Sequence, residues 1–195
     1  MISGVQLVEY ILKKCGSLSH KDLQKLAYLV DLEYMKTHGE RLSDLQFKKF
    51  YYGPYSEGIE EIKQEDDNII NTDHKTQFYP SKISSLKSES VSLESHLKSE
   101  IDEILMKYKG KTGKELEDIA DNTEPYIDID IIGEKIDLDG YAEHYKSLLS
   151  DNFWENAFKA REENEKKGVY GKHIIRDDSE LNALFSWVDL LLVSI

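Results

Sequence analysis

The 195-residue sequence predicts a mainly α-helical fold of the α+β kind, with a small β-sheet or hairpin and a helical C-terminal extension. Two observations carry that prediction. Apolar residues recur at steps of three and four in four segments, three of them opened by a capping Ser or Thr and all closed by Gly or Pro. Between the second and third segments, the run Phe47, Phe50, Tyr51 and Tyr52 is too short and bulky for another helix and ends at Gly53-Pro54. That pattern predicts a short strand closed by a turn.

Val5, Val8, Ile11, Leu12 and Cys15 share a helical face, so residues 4–15 are predicted as the first helix, with Gly16 as its stop and Cys15 as a buried small hydrophobe. Ser19 stands at the N-cap of the second, and Asp22 three positions on gives the capping-box spacing. Leu23, Leu26, Ala27, Val30 and Tyr34 fall on one face, and Gly39 supplies a residue that tolerates the left-handed conformation after the last turn. The short link makes these two helices neighbours, as in a helical hairpin. After Gly53-Pro54, Ser56 can cap a short helix through Ile59 and Ile62, ended by Glu65-Asp66-Asp67-Asn68.

Residues 69–79, broken by Asn71-Thr72-Asp73-His74, suit a small hairpin, and Pro80 with the serine-rich stretch 81–92 reads as a connection. Ser92 begins a third core helix whose stripe is Leu93, Leu97, Ile101, Ile104, Leu105 and Tyr108, closed by Gly110. Thr112 and Glu115 make a second capping-box spacing, followed by Leu116, Ile119 and Ala120 until Thr123-Glu124-Pro125-Tyr126 stops the helix. Residues 127–136 alternate apolar and acidic, as an edge strand or an extended loop would. Asp137 or Asp139 can cap a helix carrying Tyr141, Tyr145, Leu148 and Leu149. At 195 residues the chain fits one domain with an extension, here residues 150–195, packed on it. In the extension, Phe153, Trp154, Ala157 and Phe158 form an aromatic helix face, and residues 169–176 suit a strand. Leu181, Leu184, Phe185, Val188, Leu191 and Leu192 form a last apolar face. Such a face must be covered, by the protein's own core, a second copy in a homodimer, or a partner.

Charge is the most informative bulk property. Residues 1–60 carry eight Lys or Arg against eight Asp or Glu, so the whole net charge of −13 lies in residues 61–195. Such acidity disfavours nucleic-acid binding and favours a basic protein partner, while also serving solubility. The single cysteine excludes an internal disulfide, and no apolar run approaches the length of a membrane span, which points to the cytoplasm.

The residues above, in their order and spacing, resemble the Panacea domain, also called SocA-like, of toxin-antitoxin systems and phage-associated proteins. The resemblance begins with Leu23, Gln24, Lys25 and Leu26 leading to Tyr28 and Tyr34, and continues with the aromatic run before Tyr52-Gly53-Pro54. Tyr108, Gly110, Glu115-Leu116 and the segment from Asn122 through Pro125 to Tyr126 occupy the places of the family's long helix, Tyr-Gly-like break, Glu-Leu pair and Thr-x-x-x-Pro-Trp segment. Two features depart: Tyr126 stands for the usual tryptophan, and the usual histidine is replaced by Asn122 or lies elsewhere. The resemblance spans roughly residues 1–149, which it implies form the domain, and it implies an antitoxin that neutralises a cognate protein toxin, encoded nearby, by direct contact.

Phe50, Tyr52, Gly53, Pro54 and Tyr55 are the candidate contact residues, although the same aromatics equally suit filling the core under the first two helices. Two other readings stand beside this one: a protease adaptor that delivers its partner through the C-terminal extension, and a phage-derived regulator or acidic mimic of nucleic acid. None of the three calls for an enzyme, a metal or a cofactor. The six histidines are scattered, and no phosphate-cradling glycine loop, nucleophile elbow or Cys/His constellation is present.

Overall fold

The chain opens with α1 (Gly4–Cys15), whose N-cap Ser3 and N3 residue Gln6 close a full capping box. In this computed structural model residues 1–66, 69–72, 82–85 and 91–150 are described. They belong to a unit comprising Met1–Ser150; a second unit, Asp151–Ile195, falls outside the described residues. With it go the expected aromatic helix, strand, apolar helix and packing of the extension. Residues 73–79 of the expected hairpin are likewise outside.

After the two-residue strand β1 (Leu18–Ser19), α2 (His20–His38) runs for 19 residues and packs against most of the other long helices. Ser19 Oγ accepts from Asp22 N–H at 3.1 Å, one half of the predicted capping box. Gly39 ends the helix at φ +64, and a Cβ there would lie 2.5 Å from the backbone of Lys146. Glycine thus permits both the left-handed turn and the close approach of a later helix. The sequence predicts one apolar face for α2, but Leu23 to Leu32 are buried at every position. A helix packed on several sides buries its polar residues too, and Gln24, Lys25 and Asp31 are accordingly inside.

The short helix α3 (Glu57–Glu65) is followed by β2 (Ile69–Thr72) and β3 (Lys82–Ser85), which with β1 form an antiparallel sheet in the order β1-β3-β2. The register pairs Leu18 with Ile83 and Ile69 with Ser85. This corrects the reading of residues 81–92 as connection: the serine-rich stretch supplies the central strand, anchored by the buried Ile83.

The remaining helices are α4 (Ser95–Tyr108), α5 (Gly113–Asp121), the single turn α6 (Glu124–Ile127) and α7 (Leu138–Leu148). Helix α4 starts three residues later than predicted, with Glu94 rather than Ser92 at its entry. The α5 capping box is complete, with Thr112 and Glu115 bonded in both directions. Asp137 caps α7 by accepting from Gly140 N–H at 3.1 Å. Helices α1, α4, α5 and α7 all contact α2, and their apolar residues form one core. Cys15, expected inside, is exposed at the C-terminus of α1. The described part of the chain is mainly helical with a small sheet.

One charged group organises the turn after α2. The Asp31 carboxylate is fully buried and accepts from Arg41 Nη2, Leu42 N–H and Ser43 Oγ, each at 2.9 Å. Arg41 also reaches Asp139 at the start of α7, at 3.1 Å. The pair therefore ties three segments together, with nearly every lone pair of the carboxylate used.

Candidate functional site

Where a strand is predicted before Gly53, the chain instead forms a small loop closed by one antiparallel bridge. Lys48 N–H donates to Tyr55 O at 2.8 Å and Tyr55 N–H to Lys48 O at 3.0 Å. Gly53 N–H turns back to Phe50 O at 3.3 Å, which puts Tyr51 and Tyr52 at the tip. Neighbouring segments supply this run with only isolated bridges, so no strand forms.

The base of this loop is held by the α2 motif. Gln24, buried, accepts from Ser56 N–H at 2.7 Å and donates from Nε2 to Ser56 O at 3.0 Å. A side-chain amide alone offers donor and acceptor side by side, so glutamine acts here as one rung of a strand ladder. Ser56 sits at the N-cap of α3 as expected, but its hydroxyl makes no cap bond; its backbone, not its side chain, is the anchored part.

Lys25 lies one residue on, with its side chain only 2 % exposed. Its ammonium donates to Lys21 O at 3.4 Å and stands 3.8 Å from Glu117. Burial lowers its pKa, and the nearby carboxylates of Glu117 and Asp22 oppose that shift. Gly53, at φ +96, passes directly over it: a Cβ there would lie 3.3 Å from both Lys25 Cε and Asp121 Oδ1. The last of these atoms is buried with no hydrogen-bond partner. Burial and the charge of Glu117 raise the Asp121 pKa above the usual carboxylate range.

From the other side, α6 completes the support. Tyr126 OH donates to Phe50 O at 2.8 Å, and burial with the neighbouring Asp121 charge pushes its pKa up to about 12. Lys49 lies over the Tyr126 ring at 4.6 Å and donates to Tyr126 O at 3.2 Å. Thr123 Oγ1 donates to Ala120 O at 2.7 Å and must therefore accept from Tyr28 OH, also at 2.7 Å. Tyr28 in turn meets Phe47 edge-on, with centroids 5.4 Å apart.

The predicted contact residues divide by exposure. Gly53 and Pro54 are buried and Tyr55 is half-buried, whereas Phe50 is 40 %, Tyr52 56 % and their neighbour Tyr51 72 % exposed. Lys21 Nζ stands 3.5 Å over the Tyr52 ring, and Phe50 lies 5.3 Å from Tyr55. The result is an aromatic ledge facing solvent over a buried polar cradle.

The predicted motif residues divide too. Gln24 holds the loop, Lys25 lies beneath Gly53, Tyr28 grips the α5–α6 junction, and Leu23, Leu26, Leu116 and Pro125 fill the core around them. Glu115 is exposed and committed to the α5 cap, where bonds from Thr112 keep its pKa low. Sequence reasoning missed Asp31, Arg41 and Asp121. An acid inside an otherwise apolar helical run was the signal available for Asp31.

Among the described residues, no group of His, Cys, Asp and Glu is arranged to hold a metal ion, and no helix is long and apolar enough to cross a membrane. A family model described as antitoxin SocA-like, Panacea domain, matches residues 23–126, from the first residue of the α2 motif to Tyr126. No curated protein and no solved structure matches the chain.

Proposed function

We propose that this chain, which belongs to the SocA-like antitoxin family, acts in the cytoplasm by covering a protein toxin encoded beside it, with no chemistry of its own. The observation that supports this reading is the aromatic ledge. Tyr51 and Tyr52 stand out from a turn whose base is fixed by Gln24 and Tyr126 and packs over Lys25. Rigid aromatic side chains bury large area with little further loss of freedom, which is what binding hot spots require. The excess of acid beyond residue 60 would steer a basic toxin toward the domain.

Co-expression with the product of the adjacent reading frame tests the proposal, scored first by growth and then by co-purification. The neighbour alone should stop growth, this chain should restore it in a stable complex, and the Y51A/Y52A variant should bind at least tenfold more weakly while staying folded. A harmless neighbour, or one the chain does not bind, removes the antitoxin reading for that pair. Full rescue by Y51A/Y52A removes the ledge as the contact.

A further inference from the structure

A second loop lies against the ledge. Lys49 N–H donates to Glu134 O at 2.9 Å, Gly133 N–H donates to Lys49 O at 2.8 Å, and Lys48 bridges antiparallel to Lys135. The antiparallel sense carries Phe50 toward Ile132, and Tyr126 OH ties the start of the same loop to Phe50 O. Exposed on it are Ile131 at 66 %, Ile127 at 55 % and Ile132 at 39 %. Of the ten large apolar side chains exposed among the described residues, six belong to these two loops. Single exposed apolar residues are ordinary; this many on two bonded loops is the pattern of an interaction surface.

The polar residues around the isoleucines carry one dominant sign. Glu124, Asp128, Asp130 and Glu134 are exposed, with Lys135 as the cation beside them. Asp128 accepts from Tyr141 OH and Glu124 from Tyr145 OH, while Asp130 and Glu134 make no side-chain hydrogen bond or ion pair among the described residues. Lys49 is turned inward onto the carbonyls of Tyr126 and Ile129.

Resting on the antitoxin reading above, we propose that the 127–134 loop and the aromatic ledge form one composite docking surface, and that its partner presents apolar side chains edged by Lys or Arg. The isoleucines supply desolvated contact, and the free acids select a basic rim and repel an acidic one.

The test compares I127D/I131D with wild type for binding to the product of the adjacent reading frame. The control is M106D, an equally exposed apolar position on α4. The double variant should bind at least tenfold more weakly with unchanged circular dichroism, and the control should bind as wild type. Charge reversal by D130K/E134K should slow association and flatten its salt dependence. Equal binding by I127D/I131D and wild type overturns the composite surface and leaves the ledge reading intact. A wild-type dimer split by the same double variant also overturns it, since a second copy would then be the occupant.

If wild type does not bind the neighbour at all, the antitoxin reading fails for that pair and a separate readout decides the surface. The isoleucine methyls of the full chain are followed by NMR while an amphipathic Leu/Lys peptide or its Leu/Glu counterpart is added. Shifts at Ile127, Ile131 and Ile132 with the Leu/Lys peptide alone support the proposal. Equal responses to both peptides, shifts confined to other isoleucines, or no shift overturn it.

Discussion

Replacing Gln24 by methionine is the sharpest probe of how the α2 motif shapes the loop. Methionine keeps nearly the same length and volume, so the change removes the two hydrogen bonds to Ser56 and leaves packing almost intact. Ser56 is fully buried, and its N–H and C=O would lose their partner together. Each unsatisfied buried backbone group costs about 1–3 kcal/mol, and entry of water as the loop relaxes pulls the sum toward the lower half of its range. The expected loss is about 2–4 kcal/mol, which moves a urea midpoint down by about 1–2 M at a slope near 2 kcal/mol per M. The assay is urea denaturation followed by circular dichroism, joined to hydrogen exchange at the Ser56 amide. That amide should exchange faster in Q24M than the global loss alone explains. A stability within 0.5 kcal/mol of wild type, with Ser56 exchange unchanged, would refute the role assigned to Gln24.

Three further perturbations probe the Asp31–Arg41 pair and the rest of the cradle. Asp31→Asn removes the charge that compensates the buried Arg41, and should cost about 3–5 kcal/mol in the same denaturation assay. Gly53→Ala forces a side chain into a left-handed backbone and against Asp121 and Lys25, so a loss of about 1–2 kcal/mol is expected, with weaker partner binding. Asp121 has a raised pKa in the fold, so the native state binds more protons than the unfolded chain between the ordinary carboxylate pKa and the raised one. Stability from this group therefore falls as pH rises through that window, and is greatest below it. Asp121→Asn should abolish that slope, so that the stability of the variant minus that of wild type rises with pH across the window and then levels; a constant difference would show that Asp121 does not titrate differently on folding.

Local signals made the helices legible. Gly16, Ser19, Gly39, Gly110, Thr112 and Asp137 act as the helix boundaries their chemistry implies, because caps and left-handed glycines are decided within a turn of chain. What escaped was set by distant partners. Ile83 is the lone buried residue described in β3, and its strand becomes central only because Leu18 and Asn71 flank it in register. Asp31 reads as a surface acid until the reversal after Gly39 brings Arg41 and two backbone amides onto it. The candidate site shows the same division. Its motif residues and the Gly53-Pro54 turn could be picked out by eye. That Gln24 grips Ser56, or that Asp121 Oδ1 is buried without a hydrogen bond beneath Gly53, depends on the α2–α5 packing, which no periodicity encodes.

The cradle and the ledge place opposite demands on substitution. Leu23, Gln24, Lys25, Tyr28 and Leu116 are buried in packing or hydrogen bonding, so most changes among them create a cavity, an unpaired polar group or an uncompensated charge. Tyr51, Tyr52, Ile127 and Ile131 are mostly exposed, and substitutions there should alter stability by no more than about 0.5 kcal/mol. On the proposed reading, recognition therefore sits on the residues that are freest to change, over a support that is not. A family built this way can exchange partners by altering side chains at two loop tips while keeping the same helices beneath. The motif would then identify the scaffold and carry no information about which toxin it meets. Partner choice would be read from residues 50–52 and 127–134, and transplanting those two loops into another Panacea domain of the same loop lengths should transfer binding, whereas transplanting the α2 motif should not.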